Sequence, residues 1–339
     1  MNYLNPDSST INETGDVLLM KKRIMCVVLV AVMLFGGCQK PSDQFLAYHD
    51  TATDVNVSND DILAQGDFLG KELTIISNTQ DNGGDDRLTA GALLFVNNTK
   101  NKMIYADKVY QKLYPASLTK LMTALIVFKY GKLTDNVTVS YNASHITEVG
   151  AKTCGLKEGD VLSMQVLLNS MLVYSGNDTA IAIAEHLGGS VDGFSDMMNK
   201  EAKRIGAVHS HFVNPNGLHS DEQYTTAYDL YLIFHELLKY DEFKKIIHQS
   251  SYIANYVDKD GYEKQGIFDT TNEYLKGEAT TDPDLTIIGG KTGTTSKAGN
   301  CLVLLSEDKD NQDYISVILK ANGSVDLYTE MSTMLSKFK

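Results

Sequence analysis

Apolar and polar residues alternate along the chain in a pattern that predicts strands toward both ends. In the first third, the apolar runs Gly91–Val96 and Met103–Ala106 flank a polar turn, which is typical of a β-hairpin. Three later apolar runs, also separated by polar turns, predict further strands at Leu285–Ile288, Cys301–Leu305 and Tyr314–Leu319. We therefore expect one sheet to which both parts of the chain contribute.

The middle of the chain follows a helical period instead. Four segments carry apolar residues at a spacing of about 3.6. These predicted helices are Leu162–Tyr174, Asp178–Leu187, Val191–Ile205 and Ala227–Leu238. A short alternating strand, Asn136–Ser140, precedes them, and the helix Asp326–Phe338 closes the chain. The predicted fold class is α/β (α+β), with an antiparallel sheet from both chain ends, flanking helices and an inserted helical lobe.

The N-terminal region has the features of an export signal. Residues 21–23 are basic, residues 24–35 are apolar, and Gly36-Gly37-Cys38 follows, an order typical of secretory signals. The apolar run is short for a membrane span. Cys38 after two glycines resembles the lipobox of bacterial lipoproteins, whose cysteine receives a diacylglycerol; an uncleaved anchor and ordinary signal cleavage are the alternatives.

These features divide the chain into three predicted regions. Residues 1–37 are an N-terminal extension and signal peptide, in which Met20, just before the basic residues, is the expected start. Residues 38–85 are rich in polar side chains and are expected to form a flexible tether. Residues 86–339 form the folded domain.

Ser117 and Lys120 are three residues apart at the start of an apolar run that follows Pro115. This pattern predicts a buried helix on which the two side chains share one face. A charged, unpaired lysine in such a place is costly, so it tends to lose its proton and becomes a base beside a nucleophile. Roughly one Ser-x-x-Lys is expected by chance in such a chain. A second match, Ser306–Lys309, lies in a charged run that we interpret as a solvated loop.

Ser175-Gly176-Asn177 lies between two predicted helices. A polar Ser-x-Asn at this position has two explanations: its groups take part in a site, or Ser175 or Asn177 caps the second helix. The sequence leaves both open. Another Ser-x-Asn, Ser140–Asn142, follows a predicted strand and is interpreted as a turn.

Lys291 lies between glycines in the segment Gly289–Thr295, at the end of a predicted strand. Glycines allow another molecule to approach the backbone closely, while Lys291 and the threonines offer a cation and hydrogen bonds. A phosphate-binding loop is excluded because such a loop opens a helix, whereas the strand-like Asn300–Leu305 follows here.

Ser-x-x-Lys, Ser-x-Asn and Lys-Thr-Gly in this order are much more specific than any one of them, and typify penicillin-binding proteins and class A β-lactamases. The chain resembles the low-molecular-mass penicillin-binding proteins, the serine D-alanyl-D-alanine carboxypeptidases of peptidase family S11. The resemblance covers residues 88–339. It includes four segments: Pro115–Thr123, Ser175–Asp178, Phe212–Leu218 with Thr226–Leu230, and Lys291–Gly293 with Ala298–Val303. It implies a β-lactamase/transpeptidase-like fold.

The resemblance also implies the roles of the first two motifs. Ser117 would attack the D-Ala–D-Ala carbonyl, and Lys120, held neutral by burial and by a positive Lys291, would take its proton. Ser175 would relay a proton to the departing D-alanine, with Lys291 biasing its hydroxyl. Asn177 would position Lys120 or the substrate amide.

The third motif is expected to bind the substrate. Backbone N–H groups of Ser117 and Thr294 would form the oxyanion hole. Thr292 and Thr295 would hydrogen-bond the terminal carboxylate, beside Gly293. The implied partners are peptidoglycan stem peptides ending in D-Ala-D-Ala, β-lactams as covalent inhibitors, and a membrane reached through the N-terminal signal or lipid. No cofactor is expected.

Two departures from the family pattern stand out. Many members have an arginine after the last strand that helps to hold the substrate carboxylate. Here Asn322–Leu327 has none, and no arginine follows Arg204. Binding of the substrate carboxylate would then depend on Lys291 and the threonines. The resemblance also ends with the closing helix, so we expect no C-terminal β-rich domain and place the anchor at the N-terminus.

Composition and the remaining polar residues exclude other classes. The net charge of -13, with no basic cluster beyond residues 21–23, argues against nucleic acid as a partner. His209, His211 and His219 have no acidic or cysteine ligand at helical spacing, so no metal site is expected. Cys154 and Cys301 could form a disulfide outside the cell, but are expected to be buried thiols.

Two other functions remain as alternatives. A class A-like β-lactamase would need a glutamate in a loop between the second and third motifs. Glu185 and Glu201 lie in predicted helices, and the loop residue Glu222 lacks the surrounding Glu-x-x-Leu-Asn pattern. A non-catalytic penicillin-binding lipoprotein would retain the fold without the chemistry; the intact motifs argue against it, and the missing arginine argues mildly for it.

Overall fold

The computed structural model describes residues 73–77 and 85–338, which lie in one compact unit. The predicted signal peptide, Cys38 and most of the predicted tether lie outside the described residues. Within the described part of the chain, no helix is both long and apolar enough to cross a membrane.

The described elements begin with strands, continue with a run of helices and end with strands and a helix, as the sequence pattern indicates. The strands are β1 (Ala92–Asn97), β2 (Lys102–Asp107), β3 (Asn136–Thr138), β4 (Val161–Ser163), β5 (Ser251–Val257), β6 (Glu263–Asp269), β7 (Leu285–Thr295), β8 (Gly299–Asp308) and β9 (Asp313–Ala321). The helices are α1 (Thr119–Tyr130), α2 (Tyr141–Ser144), α3 (Met164–Val173), α4 (Asn177–Gly188), α5 (Val191–Arg204), α6 (Ala227–Leu237), α7 (Asp241–Ile247), α8 (Glu273–Lys276) and α9 (Ser324–Leu335). Two short 3-10 helices span Ala116–Leu118 and Ser336–Phe338.

The main sheet confirms that both chain ends contribute to one antiparallel sheet. Its five strands have the order β2-β1-β9-β8-β7, and β1 pairs with β9, for example through Leu94 and Val317. Every residue of β1 is buried. Such burial on both faces arises because helices cover both: Leu93 and Phe95 pack with residues of α9, while Leu94 and Val96 belong to the core shared with the helical lobe.

Helix α1 lies at the centre of the helical lobe. Residues 119–127 are all buried, and α1 packs against α3, α4, α5 and α6. The absence of a polar face, evident from the apolar run in the sequence, is therefore explained by neighbours on all sides. This central helix carries Lys120 into the interior.

The structure also contains a second sheet, of which the sequence pattern predicted only the strand β3. It has the strand order β3-β4-β5-β6, and its long hairpin β5–β6 exposes apolar side chains such as Ile253 and Ile267. These strands mix charged and amide residues with apolar ones, so their alternation is weak. Leu162, predicted to be helical, lies in β4, and helix α3 begins only at Met164.

Two other local predictions were wrong. Ser306 was placed in a solvated loop, but it lies in β8 and is fully buried, because the strand extends to Asp308 before the exposed turn at Lys309. The strand predicted at Leu285–Ile288 is longer than expected and continues through Lys291 to Thr295.

Candidate active site

Ser117 and Lys120 meet where a 3-10 helix passes into α1. Ser117 is the middle residue of that 3-10 turn and is partly exposed, whereas Lys120, in the first turn of α1, is fully buried. The Lys120 Nζ lies 3.0 Å from the Ser117 Oγ. The predicted pair therefore has a nucleophile that solvent can reach and an amine that it cannot.

Two further oxygen atoms complete the surroundings of the Lys120 amine. Its Nζ donates to the Asn177 Oδ1 at 2.8 Å and to the backbone oxygen of Asn216 at 2.6 Å. Burial lowers the pKa of Lys120 to about 7, against the opposing effects of Asp178 and Cys154. Burial, which the sequence analysis expected, is thus the cause of the lowered pKa, and Lys291, the second expected cause, is not among the groups that lower it.

Ser175 and Lys291 form a second serine–lysine contact. The Lys291 Nζ donates to the Ser175 Oγ at 2.9 Å and to the Thr292 backbone oxygen at 2.9 Å. Ser175 has a φ of 75°, an unusual conformation for a residue with a side chain. Burial, followed by repulsion from Lys120 and Lys152, holds the pKa of Lys291 well below its usual value.

Asn177 connects the second motif to Lys120. It is the first residue of α4, and Gly176 occupies the cap position without a side-chain capping bond. The backbone N–H and the Nδ2 of Asn177 both donate to the backbone oxygen of Lys152, each at 2.9 Å. The helix-cap explanation is therefore not supported, and the amide is oriented so that its Oδ1 faces Lys120.

The third motif lies against the first. A Cβ atom at Gly293 would be 2.9 Å from the Ser117 nitrogen and 3.0 Å from the Leu118 nitrogen. Only glycine leaves room for β7 to pass so close to the backbone of the serine turn. This contact explains why the Lys-Thr-Gly segment ends in glycine.

A cavity of about 210 Å³ opens at this junction. Among the predicted site residues, Ser117, Ser175, Thr292, Gly293 and Thr294 line it. The structure thus brings residues of all three motifs to one cavity.

Lys120, Asn177 and Lys291 lie behind this cavity rather than on its wall. Thr295 is the predicted substrate-binding residue that does not line it. Its Oγ1 accepts a hydrogen bond from the Ala298 N–H in the turn between β7 and β8. Side chains alternate along a strand, and Thr292 and Thr294 line the cavity instead. The Thr292 hydroxyl hydrogen-bonds the Thr271 hydroxyl at 2.5 Å.

The sequence reading missed several residues on the cavity wall: Lys152, Thr271, Glu273, Ser324 and Tyr328. They come from the segment before the second motif, from the end of the second sheet and from the start of α9. The sequence analysis considered the segment around Ser324 only because it lacks the arginine of the family pattern. The positions of the remaining residues along the chain do not indicate that they reach the cavity.

Another missed contribution comes from the loop that contains Gly217. Its φ is 85°, and a Cβ there would lie 1.9 Å from the backbone oxygen of Ala116. The preceding residue, Asn216, offers its backbone oxygen to Lys120. The loop thus supports the serine turn from behind.

The histidines considered for a metal site have separate partners. His209 faces Asp229, His219 faces Asp221, and the His211 ring contacts the Glu222 backbone oxygen. Among the described residues no group of three or more ligating side chains could hold a metal ion.

Both predicted thiols in the folded domain are free cysteines. Cys301 is buried and Cys154 is half-buried, so the expected burial holds fully only for Cys301. Burial raises the pKa of the Cys301 thiol to about 12. These thiols are therefore not reactive near neutral pH.

Comparison with known proteins agrees with this geometry. A family model described as D-alanyl-D-alanine carboxypeptidase matches residues 78–323. The chain is 30% identical over 253 residues to the D-alanyl-D-alanine carboxypeptidase DacF of Bacillus subtilis, covering 73% of this chain and 61% of the relative. It is also 30% identical over 255 residues to DacC of Escherichia coli, covering 73% and 60%. The chain thus spans about three fifths of the length of these curated relatives.

Solved structures show the same fold. The D-alanyl-D-alanine carboxypeptidase DacD of Francisella tularensis has a TM-score of 0.64 at 26% identity, over 84% of this chain and 75% of that one. The Streptomyces K15 DD-transpeptidase has a TM-score of 0.69 at 24% identity, over 74% of this chain and 97% of that one. The predicted transpeptidase-like fold is confirmed.

The close approach at Gly217 predicts a large cost for a single methyl group. Gly217→Ala should destabilise the protein both by its positive φ, at about 1 kcal/mol, and by a clash with the serine turn, at roughly 1–3 kcal/mol more. Gly261→Ala is the matched control, because Gly261 has a φ of 84° and open space around it. The free energy of unfolding of both variants is measured by denaturant titration. Equal losses of stability in the two variants would contradict the contact between Gly217 and the serine turn.

Proposed function

The chain belongs to the D-alanyl-D-alanine carboxypeptidases of peptidase family S11, and on that premise we propose that it is a serine D,D-carboxypeptidase. It would remove the terminal D-alanine from peptidoglycan stem pentapeptides through an acyl-enzyme on Ser117. β-Lactams, which imitate this substrate, would acylate the same serine. The observation that carries the proposal is the hydrogen bonding of Lys120.

The three oxygen atoms around the Lys120 amine can be satisfied by an ammonium or by a neutral amine, and only the neutral amine can accept the proton of Ser117. An ammonium has three N–H donors and no acceptor, whereas a neutral amine has two N–H donors and one lone pair. The two carbonyl oxygens, from Asn177 and Asn216, take the two N–H groups. The lone pair then faces the Ser117 hydroxyl at 3.0 Å, so that the amine is placed to accept its proton.

Acylation follows from this arrangement. As the Ser117 Oγ attacks the substrate carbonyl carbon, its proton passes to Lys120. The negative charge that develops on the carbonyl oxygen would be stabilised by the backbone N–H groups of Ser117 and Thr294. The tight contact of Gly293 with the serine turn supports this role, since it holds β7 beside the Ser117 nitrogen.

Departure of D-alanine needs a proton on its nitrogen. Ser175 is the proposed relay, giving its hydroxyl proton to the leaving nitrogen while recovering one from Lys120. Lys291, 2.9 Å from the Ser175 Oγ, would orient that hydroxyl. Water then attacks the acyl-enzyme, with Lys120 again accepting a proton, and Ser117 is restored.

The β-lactamase alternative gains one observation. Glu273, which the sequence reading overlooked, lies between the second and third motifs and lines the cavity. Its Oε1, however, accepts a hydrogen bond from the Ser324 hydroxyl, and the sequence Glu273-Tyr274-Leu275-Lys276 lacks the Glu-x-x-Leu-Asn pattern. We therefore favour slow rather than fast hydrolysis of a penicilloyl adduct.

The proposed place of action is outside the cytoplasmic membrane, where stem peptides are exposed. Export would use the signal in residues 1–37, and a diacylglycerol on Cys38 would anchor the protein at the outer face of the membrane. The polar residues 38–85 would act as a tether between lipid and domain.

Ser117→Ala should abolish both reactions of the proposed nucleophile. D-Alanine release from a D-Ala-D-Ala peptide should fall at least roughly a thousandfold, and labelled penicillin should no longer attach covalently. Ser306→Ala, in the other Ser-x-x-Lys sequence, is the matched control and should retain both reactions. If the Ser117→Ala variant still released D-alanine, the proposal would be wrong. In the unaltered chain, fast hydrolysis of penicillin would favour the β-lactamase alternative. If the unaltered chain reacts with neither the peptide nor penicillin, the non-catalytic lipoprotein is favoured.

The acylation rate should rise with pH. Because the neutral form of Lys120 is the base and its pKa is lowered to about 7, the second-order rate of penicillin acylation should increase below pH 7 and level off above it. Stopped-flow measurements between about pH 5 and pH 9, with melting temperatures as a check on folding, test this. A rate that falls from pH 6 to pH 8 would mean that the protonated lysine is needed.

Lipidation of Cys38 predicts that the protein fractionates with membranes. Expressed in a bacterium that lipidates exported proteins, the full chain should incorporate labelled fatty acid, and Cys38→Ser should not. Cys26→Ser is the control, since Cys26 lies inside the apolar run and should leave labelling unchanged. Labelling that survives Cys38→Ser would refute the lipid anchor.

A further inference from the structure

The cavity beside Ser117 has few positive charges available for a substrate. The amine of Lys120 is enclosed by protein oxygens, and the Lys291 amine is turned toward Ser175 and the backbone of Thr292. Neither lysine lines the cavity. The basic side chain that does line it, among the described residues, is Lys152.

Lys152 is fixed in place through its backbone and through the contact of its amine with an aromatic ring. Its carbonyl oxygen accepts both hydrogen bonds from Asn177, so the residue is tied to the second motif. Its Nζ lies over the Tyr174 ring, 3.9 Å from the ring centroid. The side chain is exposed, and it forms no ion pair with a carboxylate of the described residues. No carboxylate of the described residues therefore competes with a ligand for its charge.

The other described residues that line the cavity offer no cation. The segment after the last strand, where the family resemblance leads us to expect an arginine, presents Ser324 instead, and the hydroxyl of Ser324 donates to Glu273. The Glu273 carboxylate would repel a substrate carboxylate in the same cavity. Thr292 and Thr271 offer hydroxyl groups but no charge. An anion therefore requires a positive side chain from the Lys152 wall.

We propose that Lys152 supplies the positive charge that holds the terminal carboxylate of the substrate, in place of an arginine after the last strand. This assignment rests on the proposed D,D-carboxypeptidase function. The carboxylate would lie between the Lys152 ammonium and the Thr292 hydroxyl, on the same side as Ser175, which protonates the leaving nitrogen. A lysine acts here as a point charge without the two-pronged geometry of arginine.

The test compares a substrate that has the carboxylate with one that lacks it. The purified full chain is given an N-acylated L-Lys-D-Ala-D-Ala peptide and its C-terminal amide, and kcat/KM is measured for both. Lys152→Met keeps the unbranched side chain over Tyr174 and removes the charge. It should lower the preference for the carboxylate substrate roughly 10- to 100-fold and leave the amide nearly unchanged. Lys152→Arg should retain most of the preference.

Lys276→Met is the matched control. Lys276 is exposed and close enough to repel the charge of Lys152, but it pairs with Glu278 and does not line the cavity. The Lys276→Met variant should keep the full preference for the carboxylate substrate over its amide. If Lys152→Met keeps the preference, or loses activity equally on both substrates, Lys152 does not bind the carboxylate.

A second pair of ligands separates this assignment from the function on which it rests. Benzylpenicillin and its methyl ester differ in the same charge, and the rates of covalent acylation are measured for both. If the chain forms the penicilloyl adduct without releasing D-alanine, the proposed carboxypeptidase fails, and the effect of Lys152→Met on the penicillin preference still decides the role of Lys152. A chain that reacts with neither pair refutes both.

Discussion

The buried amine of Lys120 is the interaction on which the rest of the site depends. One of its partners, Ser117, lies one turn earlier in the chain. The other two come from distant segments: Asn177 at the start of α4 and the backbone of Asn216. A charged amine in this interior would cost several kcal/mol. The packing that excludes water from α1 therefore also lowers the pKa of the Lys120 amine to about 7.

The main sheet contributes the other half of the site through close approach. Strand β7 passes so near the serine turn that Gly293 has no room for a side chain, and on the far side Gly217 approaches Ala116 in the same way. The turn that carries Ser117 is thus held between a strand and a loop. These backbone contacts position Ser117 on the wall of a cavity that residues of all three motifs line.

The sequence predicted the elements with strong patterns and missed those with weak ones. The hairpin β1–β2, the strands β7–β9 and the longer helices of the lobe were found because each has a nearly continuous or clearly periodic apolar run. The hairpin β5–β6 was missed, since one side of it faces solvent and its residues mix charge with aromatic rings. Ser306 was wrongly assigned to a loop because the charged residues after it made the end of a buried strand resemble an exposed segment.

By itself the sequence determined that Ser117 and Lys120 meet, because an i, i+3 spacing brings the two side chains together wherever the helix lies. It also indicated the three motifs and the absence of an arginine after the last strand. Tertiary structure alone decided which groups surround Lys120, that Thr295 turns away from the cavity, and that Lys152 and Glu273 line it. Those facts depend on distances between segments far apart in the chain, and spacing along the chain does not constrain such distances.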